Sequence, residues 1–202
     1  MSSPEKNKFS NELESWLKSE GKKTLGKLEE HFAEETFAIA ILLLMAVPAL
    51  PVPTGGITHV LQIITLVLAT QIFLGRKNVW IPSRWKNFSL SGRFQQKGLR
   101  GLLKFIRFFE KFSQPRWEGI LSNKYGRYVF ASLISIFTIF AFIAPPFSGL
   151  DTLPSLGVVI LCLSAILKDS LLSIVGLLVG STGAVLILVL GKAVYDGVLK
   201  FI

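Results

Sequence analysis

Residues 37–75 carry no Asp, Glu, Lys or Arg, and Pro48, Pro51, Pro53, Gly55 and Gly56 stand in the middle of that apolar run. Proline removes a backbone donor and clashes with the preceding helical turn, so one straight helix cannot pass through such a segment. The run therefore splits into two arms. The first reaches no further than Leu50, about 14 residues or about 21 Å of helix, whereas a hydrocarbon core about 30 Å thick takes about 20 residues to cross. The second, residues 57–74, comes closer to a span. A helical hairpin that dips inward and turns within the protein fits these lengths better than two ordinary spans. Irregular backbone at membrane depth is tolerated only where protein buries it or where it lines a cavity.

A soluble bundle is the alternative to a membrane for so apolar a chain. Half of the 202 residues are hydrophobic, 17% are charged and the mean hydropathy is +0.53. Soluble helices need a polar face, and residues 37–50, 128–144 and 171–190 have none. The formal charge of +9 is uneven: residues 76–127 hold thirteen Lys/Arg and two Glu, residues 1–36 six Lys and eight Glu, and residues 128–202 three of each sign. Such a basic loop could read as nucleic-acid binding, but between apolar segments the positive-inside rule accounts for it more simply. A multi-pass membrane protein is expected, with loop 76–127 cytoplasmic and no nucleic-acid partner. No cleavable signal peptide is expected at the charged start of the chain. One cysteine, Cys162, and two histidines, His31 and His59, make neither an internal disulfide nor a metal cluster. No metal or cofactor is expected, and Cys162 reads as a small buried apolar residue.

Four segments follow from these shifts. Residues 1–35 form a cytoplasmic amphipathic segment, with Leu13, Trp16, Leu17, Leu25, Leu28 and Phe32 at roughly helical spacing. Residues 36–75 form the first broken hairpin. Residues 76–127 form the basic loop, opening on Arg76, Lys77, Trp80 and Pro82 at the membrane boundary. Within it, RFQQKGLRGLLKFIRFFEKF (93–112) alternates basic and apolar faces, the pattern of a helix lying on anionic lipid; packing against the hairpins is the competing reading. Residues 128–202 hold a second broken hairpin and a terminal transmembrane helix over 171–190. The latter contains Gly176 and Gly180, a GxxxG pair that lets another helix approach and would permit a homodimer. The fold class expected is all-α and integral to the membrane.

The second break repeats the first. At a shift of 94 residues PVPTGGIT (51–58) lies over PPFSGLDT (145–152), pairing Thr54 with Ser148, Gly55 with Gly149 and Thr58 with Thr152. An internal repeat is expected, and repeated discontinuous membrane segments are a feature of transporters that bind substrate near the midplane. Polar residues at membrane depth are costly and often functional. The candidate binding residues are therefore Thr54, Gly55, Thr58, His59 and Gln62 on one side, with Ser148, Gly149, Asp151 and Thr152 on the other. Asp151 can contact an ion or substrate, or cap the following helix. His59 can meet a substrate phosphate or titrate, or simply hydrogen-bond within its turn. Lys168 and Asp169 read as the return to water. No phosphate loop, nucleophile elbow or zinc motif is present, so no catalytic residue is assigned.

ALPVPTGGITHVLQIITLVLATQIFLGRKNVWIP (49–82) and PPFSGLDTLPSLGVVILCLSAILKDSLLSIVGLLVG (145–180) resemble the two halves of the bacterial exopolysaccharide synthesis ExoD family. The resemblance covers roughly residues 25–192. It rests on the Pro-rich turn, the Gln71…Gly75-Arg76 exit with Trp80 and Pro82, and the Thr152-Leu153-Pro154 turn with an acidic exit at Asp169. It implies a membrane protein linked to exopolysaccharide production, and carries over no catalytic residue. The expected function is a non-enzymatic component of polysaccharide synthesis or export, moving a lipid or lipid-linked intermediate, with membrane lipids as partners. A scaffold or regulator of the synthesis machinery is the alternative, and an intramembrane enzyme acting on lipid phosphate a third reading.

Overall fold

The computed structural model describes residues 9–20, 24, 27, 30–32, 35–51, 56–76, 79–80, 93–111, 113, 123–145 and 148–199, with backbone alone for 93–100, 102 and 192–199. Among them the chain is all-helical. We number the helices α1 (Phe9–Lys18), α2 (Thr36–Met45), α3 (Ile57–Phe73), α4 (Arg93–Glu110), α5 (Lys124–Ile143), α6 (Thr152–Leu167) and α7 (Ser170–Leu199). Both helix-breaking segments fall where the prolines put them, between α2 and α3 and between α5 and α6. Two helices, Lys124–Ile143 and Ser170–Gly191, are long and apolar enough to cross a membrane.

The four arms pack as a closed ring. Within each hairpin α2 meets α3 and α5 meets α6; between hairpins α3 meets α5 and α2 meets α6. The cross-hairpin contacts are thus reciprocal, first arm to second arm in both directions. Ring contacts fix the register: His59 faces Phe142 at 5.1 Å and Phe73 stacks on Tyr128 at 6.1 Å. Helices α3 and α5 are therefore antiparallel, and both breaks lie at one end of the bundle. The opposite end, called the base below, collects Thr36, Arg76, Arg127 and Lys168.

Helix α6 is the centre of the core. Every residue from Gly157 to Leu167 on it is buried, because α2, α5 and α7 all pack on it. Its contact with α7 depends on missing side chains. A Cβ added to Gly157 would lie 2.5 Å from Gly180 Cα, and one on Gly183 would lie 2.5 Å from Pro154 Cδ; the Phe137 ring of α5 fills the space over Gly180. The Gly176–Gly180 face is thus occupied from within the chain, and a second copy would have to dock elsewhere on α7.

The link between α6 and α7 is tight. Lys168 takes a left-handed conformation at φ 54°, and the Asp169 amide donates back to the Ser164 carbonyl at 3.0 Å. Asp169 then caps α7, accepting from the Leu171 amide at 2.9 Å. The Lys168-Asp169 pair is therefore split: Lys168 is exposed and sits 3.9 Å from Glu35, while Asp169 is buried. Helix α7 is level with the start of α6 at Gly183 and continues to Leu199. The cover over it persists for about one more turn, through buried Ala184 and Ile187, whereas Leu188, Val189 and Leu190 are exposed. The breaks thus stop one to two turns short of the end of the α7 apolar run.

The basic helix α4 is anchored. Leu103 and Ile106 are buried in the same core cluster as Leu13, Phe32 and Leu167, while Phe105 and Phe108 remain exposed. Its C-terminal half is tied to α1: Glu110 accepts from the Ser10 amide at 2.9 Å and from its hydroxyl, and Arg107 pairs with Glu14. Among the described residues, packing accounts for Leu103 and Ile106 of its apolar stripe. Beyond α3, the buried Gln71 side chain accepts the Trp80 amide at 2.6 Å, which folds the exit of the first hairpin back on itself and leaves the Trp80 ring exposed.

Candidate functional site

The inner stripe of α3 changes character along its length. Toward the break it presents Thr58, Gln62 and Thr65, all buried; toward the base it presents Leu68, Ala69 and Ile72, also buried. The i, i+4, i+7 spacing of Thr58, Gln62 and Thr65 keeps them on one face. Thr65 satisfies itself by donating to the Leu61 carbonyl at 3.0 Å. Gln62 has no such local solution: it is fully buried, and neither its Oε1 nor its Nε2 finds a partner among the described residues.

Two further buried hydroxyls share that condition, Thr138 Oγ1 on α5 and Ser155 Oγ on α6. The helix register brings all three to one depth. His59 against Phe142 sets Gln62 level with the residue after Thr138. Phe137 over Gly180, and Gly157 against the same glycine, set Thr138 within about one residue of Ser155. Three ring helices therefore contribute a polar side chain to one buried layer. Buried polar atoms in folded proteins are nearly always paired with protein or water, so these groups stand out among the described residues.

One turn closer to the breaks stand His59 and Asp151. The imidazole packs edge-on against Phe142 with Nδ1 buried and unpaired, and the Asp151 carboxylate lies within electrostatic reach of it. Asp151 occupies the N-cap position of α6, but its side chain makes no capping hydrogen bond. Thr152 opens α6 half-buried, its amide donating to the Gly149 carbonyl at 3.3 Å. Ser148 and Gly149 are exposed and build the turn. The Ser148 hydroxyl donates to the Pro145 carbonyl at 2.7 Å and accepts from the Leu150 amide at 3.2 Å. Gly149 takes φ +69°, a conformation that side chains resist. Thr54 and Gly55 lie outside the described residues.

The structure thus brings Thr58, His59, Gln62 and Asp151 to one end of the bundle and gives Ser148 and Gly149 a turn-forming place beside them. Sequence reading passed over Thr138 and Ser155. Their one signal is a hydroxyl inside an apolar arm, and such hydroxyls often bond back to their own helix, as Ser132 does to the Tyr128 carbonyl at 2.8 Å.

A family model described as exopolysaccharide synthesis, ExoD, matches residues 9–189. The chain is also 24% identical over 127 residues to an uncharacterized protein of Synechocystis sp. (strain ATCC 27184 / PCC 6803 / Kazusa), a match that covers 63% of this chain and 59% of that protein. No solved structure matches the chain. The chain belongs to the exopolysaccharide synthesis ExoD family.

Proposed function

We propose that this ExoD-family chain is a non-enzymatic inner-membrane component of exopolysaccharide synthesis or export, and that it handles a lipid or lipid-linked intermediate at the break end of its hairpin ring. The observation that carries the reading is the buried polar layer of Gln62, Thr138 and Ser155 inside a bundle whose exterior is apolar. On α3, Ile57, Val60, Ile63 and Val67 are exposed, and α7 exposes Ile174, Leu178, Val185 and Leu188. Only 28% of the apolar window of α7 is buried, far less than a soluble core helix would bury. Water tolerates no contiguous apolar surface of that extent; hydrocarbon does.

In this placement the basic segment 76–127 and the base face the cytoplasm, the two hairpins enter from that side and turn back, and α7 alone completes the crossing. The hairpins are parallel copies of one unit. The 94-residue shift, the reciprocal ring contacts and the shared end of both breaks support this repeat. A lipid headgroup approaching from the break end meets His59 and Asp151 first and the neutral layer next.

The test is lipid movement in proteoliposomes that carry fluorescent phospholipid or polyprenyl phosphate. Movement should exceed that of protein-free vesicles and fall at least about tenfold in Asp151→Asn combined with His59→Ala; movement equal to empty vesicles would end the transport reading. A scaffold role is the second reading, favoured by one observation: α4 is held to α1 by Arg107–Glu14 and Glu110–Ser10 yet keeps Phe105 and Phe108 outside. On that reading, Phe105→Ser with Phe108→Ser abolishes co-purification of synthesis proteins while the ring stays folded.

A further inference from the structure

At the base the apolar faces of α3 and α5 end in charge of one sign. Neither residues 57–76 nor residues 124–143 contain an Asp or Glu. Where the two helices meet there, Phe73 stacks on Tyr128 at 6.1 Å, and the Arg127 guanidinium donates to the Arg76 carbonyl. The exit of the first hairpin and the entry of the second therefore stand side by side. They bring Arg76, Lys124 and Arg127 to one edge of the bundle.

Local structure accounts for one of these three cations. The last carbonyls of a helix lack partners within it, and a cation beside them is favourable. Helix α3 has no basic residue in its own last turn, and Arg127 supplies one from α5. Arg76 and Lys124 have no such role. Lys124 opens α5, whose first turn holds no acidic residue, although the amide end of a helix favours an anion over a cation. Asn123 caps that turn as a neutral acceptor, 2.6 Å from the Gly126 amide. The Lys124 ammonium stands 6.0 Å from the centre of the Tyr128 ring, and both Lys124 and Arg76 are exposed. Among the described residues none of the three has a carboxylate within ion-pair reach, whereas Lys18, Arg107 and Lys168 each have one.

The surface beside these cations is apolar. Tyr125 and Val129 are exposed one turn apart on the outer face of α5, and Leu74 is exposed beside Arg76. Positive charge next to an exposed apolar wall is complementary to a partner that is anionic at one end and apolar at the other. A soluble anion would leave Leu74 and Val129 uncovered; a phospholipid covers both features at once.

We propose that Arg76, Lys124 and Arg127 form a site for the phosphate of an anionic phospholipid, whose acyl chains lie along the exposed faces of α3 and α5. This inference rests on the membrane placement above and is independent of lipid transport. On that placement the site lies at the cytoplasmic headgroup level, where basic and aromatic residues collect, and basic pockets between membrane helices on that side bind anionic headgroups. The bound lipid bridges the two hairpins at their base and uses no residue of α4.

The test titrates the full chain in detergent with phosphatidylglycerol or phosphatidylcholine and reads lipid binding by native mass spectrometry. Phosphatidylglycerol should bind at least about fivefold tighter, the size expected for one basic residue beside an anionic headgroup. Arg76→Gln and Lys124→Gln should each reduce that preference at least about threefold; Arg127 stays unchanged because its bond to the Arg76 carbonyl joins the hairpins. Lys104→Gln combined with Lys111→Gln, both exposed on α4, removes more charge but should leave the preference within about twofold, since the attraction is local. Without phosphatidylglycerol, Lys124→Gln should melt at the same temperature as wild type or higher, because it removes a cation from a helix N-terminus. Equal affinities for the two lipids, or full preference in either site variant, overturn the site and leave the membrane placement standing. An equal loss in the α4 variant also overturns it, in favour of general surface charge. A chain that stays monodisperse once detergent is removed without lipid overturns the membrane placement and the site with it.

Discussion

At the scale of single residues the tightest constraint is the absence of side chains along α6 and α7. Gly157, Gly176, Gly180 and Gly183 each meet backbone or ring atoms within 3.1 Å of where a Cβ would sit, whereas Gly191 meets nothing within 4 Å. Gly180→Leu should therefore destabilise the fold by at least about 1–3 kcal/mol, the usual cost of overpacking. Gly191→Ala should be neutral or gain up to about 1 kcal/mol from helix propensity. Thermal unfolding of the two variants in detergent compares them directly; equal Tm values would contradict the close approach of α6 and α7. A second residue-scale expectation concerns pH. Hydrogen bonds from Lys18 and then Arg107 hold the Glu14 carboxyl below its usual range. A carboxyl whose folded pKa is depressed adds stability above its unfolded pKa and loses it as pH falls through the folded value. The α1–α4 tether should thus loosen only as pH falls below the ordinary glutamate range. Trp16 fluorescence should report a transition there that Glu14→Gln lacks.

At the scale of elements, α4 divides its apolar residues between two solvents. Ile106 is fully buried and Phe108 is 56% exposed. Ile106→Ala should cost about 2–5 kcal/mol of stability, as for other large-to-small changes in a core. Phe108→Ala should leave stability within about 0.5 kcal/mol of wild type. It should instead weaken association of the basic segment with vesicles containing phosphatidylglycerol, as expected of an apolar anchor beside basic residues. Co-sedimentation separates the two effects. The hydrophobic pattern of residues 93–112 made a helix with two faces legible, but not the choice between lipid and protein as the partner of its apolar stripe. That choice depends on Leu13 and Leu167, which lie far away in sequence and meet it only in the folded chain.

At the scale of the whole molecule, the ring with both breaks at one end makes a prediction about sidedness. On the proposed placement the hairpins enter and leave on the same side and α7 completes the crossing. In a Cys162→Ser background, Lys168→Cys should react with an impermeant maleimide only from the cytoplasmic face, and Gly191→Cys only from the opposite face. Reaction of both from one face would contradict a single net crossing. The sequence by itself determined that the chain is helical and apolar, where its helices stop, and which family it belongs to. The reasons are local: proline cannot continue a helix, and uncharged runs without a polar face cannot be solvated. It also singled out Thr58, His59, Gln62 and Asp151, because polar side chains are conspicuous in apolar surroundings. Only the tertiary structure decided that Gln62 shares its depth with Thr138 and Ser155. It also decided that the GxxxG face serves α6, and that Asp169 is a buried cap while its neighbour Lys168 is exposed. Each of these depends on the register between helices, which is set by where Phe137 and the glycines allow the backbones to meet, and no local pattern encodes it.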